Sequence, residues 1–278
     1  MSPLRDLEGL EPRYEPSFVS LGYLVQEMYA TVLSLVSRVL ELKRLGAFSK
    51  EPRYRQISPS VEALRRQTED LMGLLQFPDA ASQRREHILQ GFRKLQASSS
   101  PLFLELQRAQ LETLLEDTEQ FRMQCVHTAE RMREQVFLLR RCLEKKVSPE
   151  VLELSPNLSP ENSGYVSLQE VLIPLGEEVL KMGSLGSLFR EEGIFLERLG
   201  EEYRHILRRM GDSVQKIGGA ESLSAEEAAK MLEIFQTYST REERQVFREF
   251  FASRGEIPEY VAFTQEAEED DLSGVDLF

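Results

Sequence analysis

The sequence has no tryptophan, two cysteines and three histidines in 278 residues, and it is short of basic side chains. Each shortage closes off a class of function. Two cysteines cannot build the disulfide framework on which small secreted domains depend. Cys125 and Cys142 also fall within one predicted helix, where seventeen positions at about 1.5 Å each hold them roughly 25 Å apart, beyond bonding reach. Three histidines leave little material for a zinc centre or a nucleophile–base pair. A net charge of −13 lacks the surplus of Lys and Arg that phosphate contacts need, so direct nucleic-acid binding is not expected. Sixteen glycines and twelve prolines are few for a loop-rich β protein.

What remains is helix material. Hydrophobic residues make up 41% and charged residues 29%, and the excess of charge is what the exposed faces of long helices carry. The expected fold is all-α: an extended bundle with one very long helix, then a smaller helical module and a disordered acidic C-terminal tail. The start, Met1 to Pro16, is polar and acidic, unlike a secretory signal. A cytoplasmic location is therefore expected. Phe18 to Ser37 carries one charge, Glu27, and has the length of a membrane span. Gln26-Glu27 and the recurring Ser and Thr point instead to a buried or dimerising helix, so no membrane span is favoured.

Along the chain, 1–16 reads as a flexible N-terminus and 17–45 as the first helix, stopped by Gly46. Ser58-Pro59 predicts the start of a second helix with Val61, Leu64, Thr68, Leu71, Leu74 and Leu75 on one side, ended by Pro78. Another, about 81–96, carries Ile88, Phe92 and Leu95. The long helix runs from Pro101 to about Lys146. Leu104, Leu111, Thr118, Cys125, Met132 and Leu139 recur at intervals of seven. Leu114, Phe121, Ala129, Val136 and Leu143 accompany them, first three and then four positions behind each member of the row. That drift marks a straight helix in a bundle rather than a strict coiled coil. At about 1.5 Å per residue the helix spans roughly 65–70 Å and needs partners along its flank, from its own chain or a second copy; a homodimer is expected.

Residues 147–166 form a Pro/Ser/Asn-rich linker separating the 17–146 bundle from a 167–264 module. In that module Ser167 and Glu170 read as a capping box, Pro174 and Gly176 as a kink, and Gly183 to Gly186 as a flexible joint. A helix over 187–217 follows, ended by Gly218-Gly219. Ser224 with Glu227 and Thr240 with Glu243 cap two short helices. Four Arg-Arg steps (Arg65-Arg66, Arg84-Arg85, Arg140-Arg141 and Arg208-Arg209) read as solvated helix faces.

Catalytic signals are weak. Glu202 and His205 share a helix face at the spacing that di-iron bundles use twice, but no second copy exists: His87 follows Arg84 and His127 follows Gln124 at that interval. Cys125 and His127, two apart on a helix, point in different directions, and Cys125 lies on the apolar row. No Cys-x-x-Cys, nucleophile elbow or phosphate-binding loop is present. No cofactor, metal or catalytic residue is assigned, and the chain is read as non-enzymatic. One enzymatic alternative rests on Glu116 and Gln120, four apart on the long helix. With the acidic tail, this pair resembles bacterial chemotaxis phosphatases, and the resemblance implies hydrolysis of a response-regulator phosphate.

From Glu266 the chain holds six acids and no base, and ends in Val275, Asp276, Leu277 and Phe278. Self-repulsion and few apolar residues predict an extended tail. Terminal Leu and Phe side chains suit a partner's pocket, with acids upstream steering them to a basic rim. Asp270, Asp271, Leu272, Val275, Asp276, Leu277 and Phe278 are the partner-binding candidates. The ending Asp276-Leu277-Phe278 resembles bacterial sliding-clamp-binding peptides, with Gly274 and Val275 where those have Gln and Leu. The acidic run also resembles the tips of single-stranded-DNA-binding proteins. Both resemblances imply a protein partner. The expectation is therefore a helical scaffold or adaptor that self-associates and docks a protein through its tail. The structural alternative is a cytoskeletal or secretion-apparatus component.

Overall fold

The computed structural model describes residues 3–50, 52–95, 101–144, 168–217, 225–238 and 240–253. The protein is all-α, with no strand among the described residues. In order, the helices are α1 (Pro3–Glu8), α2 (Glu11–Arg44), α3 (Ala47–Lys50), a 3₁₀ turn (Pro52–Gln56), α4 (Ile57–Leu74), α5 (Phe77–Leu95) and α6 (Pro101–Glu144). They continue with α7 (Leu168–Glu192), α8 (Ile194–Ile217), α9 (Ala225–Phe235) and α10 (Arg241–Ala252). The anticipated linker 147–166 and tail 265–278 lie outside the described residues, as do Ser167, Ser224 and Gly218-Gly219.

The long helix runs 44 residues, and its apolar rows are its buried face. Leu111, Leu114, Thr118, Phe121, Cys125, Ala129, Met132, Val136 and Leu139 are all buried. Leu104 is only half-buried; Leu102, Phe103 and Leu106 take its place in the core. In α2 the buried face is Leu21, Val25, Met28, Val32, Leu35, Val39 and Leu42, alternating steps of four and three. Gly46 terminates it at φ 67°, a left-handed backbone that an L side chain rarely adopts.

Several expectations fail for identifiable reasons. The chain is helical from Pro3 onward rather than flexible over 1–16, because Leu4, Leu7, Leu10 and Tyr14 are buried at helical spacing. Pro78 opens α5 as its second residue instead of closing α4, a position where its missing N–H costs nothing. The helix expected from Ser58-Pro59 begins at Ile57, behind Gln56, which makes no side-chain capping bond. Pro174, Gly176, Gly183 and Gly186 all sit inside α7, which runs unbroken until Gly193 separates it from α8. Val171, Leu175, Val179, Met182, Leu185 and Phe189 are buried along it. At roughly 1.5–3 kcal/mol each, that burial outweighs about 1 kcal/mol of helix propensity lost per glycine.

The described residues group into two compact units built from separate stretches: those within 1–13, 78–119 and 199–253 form the first, and those within 14–77 and 120–198 the second. These are not the contiguous blocks expected on either side of a linker.

In the first unit, Leu102, Phe103, Leu106, Met231, Ile234 and Phe235 meet Tyr238, Phe247, Phe250 and Phe251 in one core. Phe247 is its hub, with ring centroids 4.8 Å from both Phe235 and Phe251. Thr240 caps α10: its hydroxyl accepts from the Glu243 N–H, and the Glu243 carboxylate accepts from the Thr240 N–H, closing the expected capping box.

In the second unit, Phe18 packs edge-on against Phe195 at 4.8 Å, and Phe77 stacks on Phe121 at 4.5 Å. The Ser34 hydroxyl donates to Glu178 at 2.9 Å, and Lys181 pairs with Glu27 at 3.2 Å, tying α7 to α2. Across α7, a Cβ on Gly183 would lie 3.3 Å from Val136 Cγ1, so this glycine sets how closely α7 approaches α6.

Candidate functional site

The partner-binding candidates Asp270, Asp271, Leu272, Val275, Asp276, Leu277 and Phe278 lie outside the described residues. Two other regions carry features that a functional site would use: the surface of the second unit and the polar interior of the first.

All thirteen exposed large hydrophobics among the described residues belong to the second unit. They are Val19, Tyr23, Leu33 and Leu40 on α2, Met72 on α4, Met123, Val126, Phe137 and Leu138 on α6, Ile173, Leu180 and Leu188 on α7, and Ile194 on α8. Tyr23 is 66% exposed, Ile173 63% and Phe137 59%. Single exposed apolar residues need no explanation, but their confinement to one unit does. The Leu4–Arg44 stretch is long and apolar enough by composition to cross a membrane, with 33% of its most apolar window buried in the protein. The alternating buried face of α2 already packs within the second unit, which leaves its other face available.

Where α7 runs beside α6, the surface is concave. A cleft of about 600 Å³ is lined by Arg133, Phe137 and Arg140 from α6 and by Gly183, Ser187, Arg190 and Glu191 from α7, among others. A second cleft of about 410 Å³ shares Arg140 and adds Leu143, Ile173 and Leu180.

The polar interior of the first unit centres on Glu243, which is 1% exposed. His87 Nδ1 lies 2.7 Å from its carboxylate, and the Thr240 N–H and hydroxyl donate to the same group at 3.1 Å. Gln110 donates to the Glu243 carbonyl at 2.8 Å. The Tyr238 hydroxyl faces the amides of Gln107 and Gln110. Burial pushes its pKa well up, and those amides oppose the shift. Gly91 makes room here, since a Cβ on it would come within 2.5 Å of the Gln107 amide. A His–carboxylate pair can orient a general base, but this one is spent on the α10 cap and the helix packing around it. It was missed in the sequence because 156 residues separate its members.

The arginine pairs meet different fates. Arg65 and Arg66 bond Glu62 on the surface, and the Arg65 hydrogen bond holds the Glu62 carboxyl down at about 2. Arg84 and Arg85 correct the solvated-face reading: both are about 95% buried, Arg84 on Asp117 and Arg85 3.5 Å from Glu11. Arg209 pairs with Asp6. Arg140 and Arg141 stay exposed, with no ion pair among the described residues.

Of the other sequence candidates, Glu202 pairs with Arg13 at 2.8 Å and His205 is exposed. Among the described residues no group of three His, Cys, Asp or Glu side chains could hold a metal ion. Cys125 is buried, and burial pushes its thiol up to about 12. Glu116 and Gln120 are both exposed on α6. Searches against protein-family models, curated proteins and solved structures find no match to this chain.

Proposed function

We propose that the chain is a non-enzymatic helical scaffold or adaptor. It self-associates through the exposed apolar faces of its long helices and holds a protein partner through the C-terminal segment from Asp270 to Phe278. The observation that carries this reading is that all thirteen exposed large hydrophobics among the described side chains lie on one of the two units. Exposed apolar side chains gathered on one unit of a charged, acidic chain are what an association face draws on. The tail adds a weak hook that gains strength when it is displayed twice on a dimer. In this reading the protein is cytoplasmic, uses no cofactor and acts by holding proteins together.

The test is a pull-down comparing the full chain with a Leu277→Ala/Phe278→Ala double variant. The adaptor predicts loss of the co-purified partner with folding unchanged. Equal recovery by both chains removes the hook from the proposal.

A further inference from the structure

The two clefts between α6 and α7 share Arg140 and form one groove in the second unit. The chain carries 13 excess negative charges, and many described arginines outside the groove sit on a carboxylate, as Arg13, Arg84, Arg93 and Arg209 do. Arg133, Arg140 and Arg190 instead converge on the groove, exposed and with no ion pair among the described residues. Only Glu191 opposes them in the larger cleft, and Glu177 in the smaller. Between these charges stand apolar side chains that nothing covers: Phe137 at 59% exposure and Leu180 at 54%. The floor is kept low by Gly183, where a Cβ would press on Val136 and Arg140.

A surface that alternates unpaired guanidinium groups with exposed apolar side chains fits a ligand that alternates carboxylates with apolar side chains. Residues 266–278 have that composition, with six acids, no base and an end in Val275, Leu277 and Phe278. We infer that the α6–α7 groove is the receptor for the acidic C-terminal segment of a second copy of this chain, with arginines pairing its carboxylates and Phe137 and Leu180 meeting its terminal apolar residues. This rests on the reading of that segment as a docking peptide and names its receptor. It gives self-association a polar, salt-sensitive component. It also makes the segment's availability to other proteins depend on release from the groove.

The experiment titrates a peptide of residues 265–278, labelled at its N-terminus, into the full chain carrying Leu277→Ala/Phe278→Ala, with fluorescence anisotropy as the readout. The altered chain keeps its own tail from competing. The expected result is saturable binding that weakens at least about tenfold when salt is raised from 50 to 500 mM, and by a similar factor in an Arg133→Glu/Arg140→Glu background. Arg66→Glu on α4 should leave it unchanged, and a scrambled peptide of equal charge should bind at least about tenfold more weakly. No saturable binding overturns the assignment. Equal binding to the Arg133→Glu/Arg140→Glu chain with an unchanged helical spectrum does so too, as does equal binding of the scrambled peptide. If the peptide fails while the pull-down still depends on Leu277 and Phe278, the groove is wrong and the hook stands. If the peptide binds while the pull-down is indifferent to those residues, the groove stands and the outside partner falls.

Discussion

The first unit knits its separate stretches together with polar contacts across long sequence distances: Arg13 to Glu202, Arg209 to Asp6, Arg85 to Glu11 and His87 to Glu243. The second has few such ties, chiefly Lys181 to Glu27 and Ser34 to Glu178, and carries the exposed apolar side chains. Ion pairs near the surface are worth little in stability, roughly 0–1 kcal/mol each, so the contrast does not rank the units by strength. It separates them by what their surfaces have left to do. A unit that keeps its large apolar side chains covered is finished; one that leaves Tyr23, Phe137 and Ile173 in water is equipped to meet something else.

The sharpest way to break the contrast is to substitute matched aromatics in the two units. Phe247→Ala removes the hub of the first unit's core and should cost about 3–5 kcal/mol in urea unfolding. Phe137→Ser, on the second unit's surface, should change stability by less than about 0.5 kcal/mol and weaken association instead. Glu243→Ala comes next, at about 2–4 kcal/mol, since it removes a helix cap and strips His87 of its buried partner. A Glu243→Ala protein as stable as the parent would show that the polar interior is ornamental.

Glycines in α7 test the packing of the second unit with smaller effects. No atom lies within 4 Å of a Cβ built at Gly176 or Gly186, so alanine there should stabilise the helix by about 1 kcal/mol. Gly183→Ala should fall short of that gain because Val136 and Arg140 must yield. Equal gains at all three sites would mean that α7 does not approach α6 as described.

A further effect is on pH. Cys125 holds its proton up to about 12 when folded, against 9.0 for an ordinary thiol. Above pH 9 the unfolded chain therefore binds fewer protons at this group than the native one. Stability should fall with rising pH by as much as about 1.4 kcal/mol per unit from this residue alone, with the loss ending near the folded value. Cys125→Ala should show a shallower alkaline decline than the parent, read from urea midpoints between pH 8 and 11. Identical slopes would place the thiol in water.

Local and periodic features were legible in the sequence. The seven-spaced row through Leu111, Thr118, Cys125, Met132 and Leu139 is buried because a helix turns about 3.6 residues at a time and one face must meet the core. Gly46 and the Thr240–Glu243 box were readable because end signals act within four residues. The features that could not be read depend on neighbours far along the chain. Arg84 and Arg85 look like surface residues until Asp117 and Glu11 arrive beside them, and His87 looks idle until Glu243 does. Gly183 looks like a hinge, but burial of Met182, Leu185 and Phe189 around it keeps the helix whole. Leu4, Leu7 and Leu10 stand at helical spacing, but Pro3, Gly9, Pro12 and Pro16 among them read as helix breakers. Of the candidate site, the sequence offered the tail, but not the grouping of unpaired arginines and exposed apolar residues, which requires knowing which faces stay uncovered.

Sedimentation equilibrium of the full chain bears most directly on the claim that the second unit is an association surface. Measured beside it should be a variant with Tyr23, Phe137 and Ile173 all changed to Ser. The account predicts a reversible dimer for the parent in the micromolar range and a monomer with the same helical spectrum for the variant. A parent that stays strictly monomeric across that range, or a variant that associates equally well, would contradict it.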